Sequence, residues 1–405
     1  MTKPTLEAAA PLEIIRPVQA TAAALSANLV GIGLARFGYT PLIPVLVAQG
    51  WFAPSTAAYL GAANLAGHLA GALGARILTT GLGVPRTLRG AMLLTAASLI
   101  ACAFPWGFAW FFAWRFLSGC TGGVLMASAA PTVIATIPAE KRGVAGGAIF
   151  TGVGLGIAAS GTLVPLLIRW GLRETWLGLG AISLALTALT WKEWPAPAPT
   201  TRARERTAAT RSPALLKALY LEYALCAVGL VPHMVFLVDF ISRGLARGLE
   251  EGALFWIIFG VGAVIGPLIA GYIGGRLGFR ATLRMVFLIQ ATAVAIPLVT
   301  ATPLPLALSS FLIGAFVPGI VAVTIGRTRE LLHHDPEAQA HAWSYCTAAF
   351  ALGQAVAGYA FSFIFAQANG GYMVLFALGT AAFILALALD IGASIIAWMA
   401  PAEQR

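Results

Sequence analysis

NLVGIGLARFGYTPLIP, residues 28–44, sets one arginine, Arg36, inside a run of otherwise mostly apolar and small residues. The run extends from about Pro17 to Gly50, longer than the ~20 residues that cross a bilayer as a helix. A guanidinium at that depth costs at least about 2.5–3.5 kcal/mol on insertion scales. The rest of the chain is therefore expected to offset that cost through a partner, a wet cavity or an anionic ligand.

Working outward, the 405 residues are 59% hydrophobic and only 10% charged, whereas soluble domains carry about 25% charged residues. The chain reads as a polytopic, all-α membrane protein. Cys102, Cys120, Cys226 and Cys346 all fall in apolar runs with no CxxC spacing, so free thiols packed among helices are expected rather than disulfides or a metal site. The first residues, MTKPTLEAAAPLEIIRP, have neither the apolar core nor the cleavage site of a signal peptide, and the first span is expected to double as the targeting signal.

Apolar runs fall at about 18–48, 55–79, 87–104, 107–137, 143–169, 175–193, 215–242, 251–275, 281–301, 303–328, 339–367 and 371–399. Twelve spans are expected, with both termini on one side. If that side is the cytoplasm, the outer loops carry only Arg169, Arg173, Arg243 and Arg247. Apart from Arg36 and Arg115 within spans, every other Lys and Arg of the 25 lies on an inner segment. This is the positive-inside pattern, and it accounts for the net charge of +10 without nucleic acid. A multi-pass protein of a bacterial plasma membrane, monomeric and in contact with lipid, is expected.

The one long polar interval, WPAPAPTTRARERTAATRSPA at 194–214, divides the spans six and six. The expected domains are residues 1–194, a cytoplasmic linker at 195–214, and residues 215–405. The halves echo each other. Gly71-x-x-x-Ala75-Arg76 precedes by 200 residues Gly271-x-x-x-Gly275-Arg276-x-Gly278-x-Arg280, and Phe116-Leu117-x-Gly119 matches Phe311-Leu312-x-Gly314. An even number of spans per half makes this a parallel repeat about an axis along the membrane normal.

Twelve spans, a central basic loop and the GxxxGRxGxR run at 271–280 resemble the major facilitator superfamily. Arg115-x-x-x-Gly119 resembles its span-4 signature, and Arg36-Phe37-x-x-Thr40-Pro41-x-x-Pro44 is similar to the span-1 pattern of its YbfB/YjiJ-type branch. The resemblance implies two pseudo-symmetric six-helix bundles, with spans 1, 4, 7 and 10 lining a central cavity. It also implies that Gly71, Arg76, Gly271, Arg276, Gly278 and Arg280 form conformational loop motifs. Two departures stand out. The loop motif's usual acid is replaced by Ala75 and Gly275, and the Gly-Pro of the span-5 antiporter motif is missing from Gly152-x-Gly154-x-Gly156.

That glycine run, GVGLGIAASG, lacks the preceding strand and downstream acid of a dinucleotide site. Its spacing fits close helix packing instead. No cofactor is expected, and His333 and His334 beside Asp335 read as a solvated loop rather than a metal site.

The candidate site residues are the polar groups within spans. Asn28, Ile32, Arg36 and Thr40 share one helix stripe at i+4 spacing, and Arg115 sits at a similar depth. Asn64 and His68 are an i+4 pair in span 2. His233 follows Pro232 near the middle of span 7. Asp239, near its outer end, has two readings: an i+4 ion pair with Arg243, or an outer gate and proton carrier that meets Arg36 across the halves. Gln290 and Gln354 read as helix bridges, and Trp106, Trp110 and Trp114 as lipid-facing anchors.

Two guanidiniums in a cavity favour an anionic group, since Arg forks match carboxylates and phosphates. The expected function is secondary transport of a small organic anion by alternating access, with Asp239 or His233 as carrier of a coupling proton. Proton-coupled multidrug efflux is the alternative, and a transporter-like sensor a remote one. An enzyme is not expected: HExxH, a GxSxG in a suitable setting, paired buried aspartates and a Walker loop are all missing.

Overall fold

The computed structural model describes residues 17–138, 141–195, 213–332, 335–368 and 371–399. Most of the expected linker, together with His333 and His334, lies outside them. Every regular element among the described residues is helical: α1 Pro17–Asn28, α2 Leu42–Ala48, α3 Pro54–Leu82, α4 Val84–Ala101, α5 Phe108–Ile134, α6 Arg142–Leu167, α7 Leu172–Leu189, α8 Pro213–Val231, α9 Leu237–Asp239, α10 Gly248–Leu277, α11 Phe279–Val299, α12 Pro303–Leu331, α13 Pro336–Gln367 and α14 Tyr372–Met399. Nine helical stretches among the described residues are long and apolar enough to cross a membrane. α3, α4 and α7 fall short of that measure. α3 carries Asn64, His68 and Arg76 amid many glycines, while α4 and α7 are 18 residues each, with Arg86 and Arg89 in one and Arg173 and Glu174 in the other.

The helix ends follow from sequence chemistry. Pro54, Pro85 and Pro303 stand in first turns, where a missing N–H costs nothing. The Asp335 carboxylate accepts from the Ala338 amide at 2.9 Å and caps α13. Gly83 and Gly278 end α3 and α10 with φ of +81°, a conformation that costs a side chain energy.

Close approach between helices is set by glycines whose missing Cβ would strike a neighbouring backbone. Gly67 and Gly71 of α3 lie against the Phe116 and Cys120 carbonyls of α5, and Gly119 of α5 lies against the Asn64 carbonyl. The same three contacts recur 195 positions later: Gly262 and Gly266 of α10 meet the Phe311 and Ala315 carbonyls of α12, and Gly314 meets that of Phe259. The helix-ending glycines, 83 and 278, are also 195 apart. This corrects the pairing of Gly71 with Gly271. Gly71 corresponds to Gly266, and a Cβ at Gly271 would meet open space.

α6 and α10 also press together, with Gly260 against Ala158 and Gly154 against Ala263 and Val264. α3 and α13 touch where Gly358 meets Ala62 and Leu65. All four cysteines are free.

Two stretches expected as continuous helix are broken. After α1 the chain makes π-helical turns over Leu29–Leu34 and a 3-10 turn over Phe37–Tyr39 before α2. Pro41 and Pro44 have no N–H to give, and in a regular helix their rings would clash with the Phe37 and Thr40 carbonyls. After α8, Pro232 starts π-helical turns over Pro232–Phe236 and Phe240–Gly244, with α9 between them. The broken stretches meet where the Thr40 hydroxyl donates to the Met234 carbonyl at 2.6 Å.

Candidate functional site

The site begins with what the break in residues 29–41 sets free. The Tyr39 amide bonds the Arg36 carbonyl instead of reaching back four residues, so the Ala35 carbonyl accepts from elsewhere. Arg115 of α5 donates to it at 2.6 Å. The Arg115 guanidinium also lies 4.2 Å from the centre of the Tyr39 ring, a favourable cation–π geometry. Tyr39 in turn donates to the Ala57 carbonyl at 2.8 Å. Arg115 is 1% exposed and its contacts are a carbonyl and a ring, not a carboxylate.

Arg36 occupies the turn itself. Its Nη2 donates to Oε1 of Gln354 on α13 at 2.5 Å. The Gln354 amide in turn reaches Sδ of Met234 at 3.4 Å. The Arg36 Nε has no partner, and none of the ion pairs among the described residues includes Arg36.

Two voids adjoin this guanidinium. The larger, about 90 Å³, is lined by Ile32, Arg36 and Phe37, His68 of α3, Met126 of α5, Phe150 and Val153 of α6, and Tyr223 of α8. Met234 of the turn after α8, Val317, Pro318 and Val321 of α12, and Trp343, Thr347, Phe350, Ala351 and Gln354 of α13 complete it. It is an aromatic, mostly apolar chamber with one permanent cation, and no carboxylate lines it. His68 adds a buried Nδ1 with no partner.

The smaller void, about 20 Å³, lies between Arg36 and Arg115 and is also lined by Tyr39, Thr40, Asn64 and Met234. That is the size of one water site. The Nε atoms of both arginines and Oδ1 of Asn64 are buried without partners.

The other candidates are placed differently. Asn28 Nδ2 donates to the Ile149 carbonyl of α6 at 3.1 Å, and Asn64 Nδ2 donates to the Arg115 carbonyl at 3.2 Å; both bridge helices. Arg115 lines the small void but not the chamber. His233 lines neither: it is fully buried, 2.8 Å from the Ser309 hydroxyl and edge-on to Phe376.

Asp239 does not meet Arg36. Both its oxygens accept from Arg243, at 2.5 and 2.6 Å, and Oδ2 also accepts from the Tyr372 hydroxyl at 2.6 Å. Of the two readings of Asp239, the i+4 pair is the one formed. The loop-motif residues Gly71, Arg76, Gly271, Arg276, Gly278 and Arg280 line neither void. Arg276 lies over the Tyr272 ring at 4.8 Å.

The carboxylates near the loop-motif residues lie outside the motif. Glu330 accepts from the Phe279 amide at 2.7 Å and from Arg327 at 3.1 Å, and Asp390 pairs with Arg284. Trp106 is exposed, as a lipid anchor would be, whereas Trp110 packs inward and donates to the Ala101 carbonyl at 2.8 Å.

The α13 wall of the chamber was missed from sequence, although Trp343, Thr347, Phe350 and Gln354 recur at the i+4, i+7 and i+11 spacing of one helix face.

A family model described as "Uncharacterised MFS-type transporter YbfB" matches residues 28–391. Among solved structures the chain is similar to the crystal structure of a D-xylose–proton symporter. The TM-score is 0.65 at 15% identity, over 91% of this chain and 96% of that one. No curated protein matches.

Proposed function

The chain belongs to the MFS_4 family of MFS-type transporters, and on that premise we propose that it carries a small organic anion, bound at Arg36, across a bacterial plasma membrane. In this reading twelve spans form two six-helix halves, residues 1–194 and 215–405, joined by a cytoplasmic linker at 195–214. Both termini are cytoplasmic and the protein works as a monomer. The halves rock about a site near the midplane, along the glycine-lined contacts of α6 with α10 and of α3 with α13.

The observation that carries the proposal is the chamber's polarity. Arg36 faces it, lacks a carboxylate partner, and has Nε unpaired. A desolvated cation without a counter-charge is costly, and a bound carboxylate would remove that cost. His68, Thr347 and Gln354 supply further polar contacts.

Efflux of lipophilic cations has one observation in its favour, the aromatic walls formed by Phe37, Phe150, Tyr223, Trp343 and Phe350. Two others weigh against it. No carboxylate lines the chamber, and its volume of about 90 Å³ is small beside the ~300–1,000 Å³ of drug-sized sites.

Flux into proteoliposomes decides between them. Saturable uptake of short carboxylates is expected; flux of lipophilic cations with none of carboxylates would contradict the proposal.

The bond from Thr40 to Met234 closes the two broken stretches on each other and acts as a latch. Thr40→Val removes about 1 kcal/mol of hydrogen bonding. Amide exchange in residues 232–244 is then expected to speed up about fivefold, read by mass spectrometry; unchanged exchange would rule the latch out.

A further inference from the structure

We propose that Glu222 of α8 holds the proton that drives the transport cycle, an inference that rests on the reading of the chain as a coupled secondary transporter. Three carboxylate residues among the described ones are fully buried: Glu222, Asp239 and Asp390. Asp239 accepts from both arms of Arg243 and from Tyr372. Asp390 pairs with Arg284 of α11. Glu222 is 2% exposed and has neither a hydrogen bond nor an ion pair among the described residues.

A charged carboxylate left in that state inside a membrane span is strongly disfavoured, and a proton relieves it.

Asp390 of α14, Arg327 of α12 and Arg284 of α11 are the charged groups that act on Glu222. Both arginines are engaged elsewhere, Arg284 with Asp390 and Arg327 with Glu330.

A movement of α8 against α11 and α12 that brought either guanidinium to Glu222 would stabilise its charged form. The carboxyl O–H then breaks, its proton passes to water on the cytoplasmic side, and the carboxylate pairs with the arginine. Reversal reloads the proton. The next residue, Tyr223, lines the chamber beside Arg36, so the turn of α8 that bears the proton also touches the anion site. Asp239 and His233 are thereby relieved of the carrier role: one is bound in an ion pair, the other is bonded to Ser309 in packed core.

The test is infrared difference spectroscopy on the full-length protein in lipid, stepping the buffer through neutral pH. The expected result is a protonated-carboxyl C=O band that titrates, shifts on 13C-glutamate labelling, and is lost in Glu222→Gln. No such band, a band unmoved by glutamate labelling, or a band retained in Glu222→Gln would overturn the proposal. The label reads out on the unmodified chain, so the proposal stays testable if the variant does not fold. Anion binding at Arg36 is measured separately, and its loss or survival bears on the substrate reading alone.

Discussion

Arg36→Gln is expected to lower affinity for a carboxylate ligand on the order of 100-fold, while leaving the ligand-free protein as stable as before or more so. The first figure follows from a hydrogen bond to a charged group, worth about 1.5–3 kcal/mol. The second follows from what the arginine does without ligand. The one described hydrogen bond of its side chain runs to Gln354, and its Nε is buried without a partner. Glutamine keeps an amide donor at that position and removes an uncompensated buried charge, a change that is often neutral or stabilising. A purely architectural arginine would give the opposite pair of results. Thermal unfolding with and without short carboxylates separates the two: loss of the ligand-free fold together with an intact ligand response would refute the assignment.

Gly266→Val is expected to destabilise the protein by about 3 kcal/mol or more, since adding bulk to a filled contact costs about 1–3 kcal/mol even where neighbours can yield. Here they cannot. The new Cβ would meet the Ala315 backbone of α12, and a backbone moves only with its whole helix. The matched control is Gly271→Val, five residues along the same helix, where nothing lies within 4 Å and a shift under about 0.5 kcal/mol is expected. Unfolding midpoints of the two variants measure the difference. Equal midpoints would mean that α10 and α12 are not held at glycine distance.

These two sites also mark what the amino-acid sequence could and could not disclose. Arg36 stands out because a permanent charge in an apolar run has no neutral explanation. Helix-ending glycines and first-turn prolines are likewise readable, because each acts through its own backbone. The surroundings of Arg36 were harder to read, because residues 29–41 and 232–244 leave the 3.6-residue repeat. A π-helical turn takes an extra residue, so facing computed at 100° per residue fails beyond Pro232. His233 stands at the start of that stretch and pairs with Ser309 rather than lining the chamber. The register of the glycine contacts was blurred by a second, chance alignment at 200 positions. Only the carbonyls that glycines 67, 71, 262 and 266 press against fix it at 195. Glu222 lies within α8, five residues after Lys217, where nothing in the sequence marks it out. Its significance comes from its burial without a partner, next to the chamber residue Tyr223, which only the packed helices reveal.

The most direct measurement is a thermal-shift comparison of propionate, propanol and propylamine, matched in size and ionic strength, on the purified protein. Stabilisation tracks binding to the folded state. If Arg36 receives an anion, propionate alone raises the unfolding midpoint, and the rise disappears in Arg36→Gln. If propylamine stabilises the protein instead, or propionate does no more than propanol, the chamber is not an anion site.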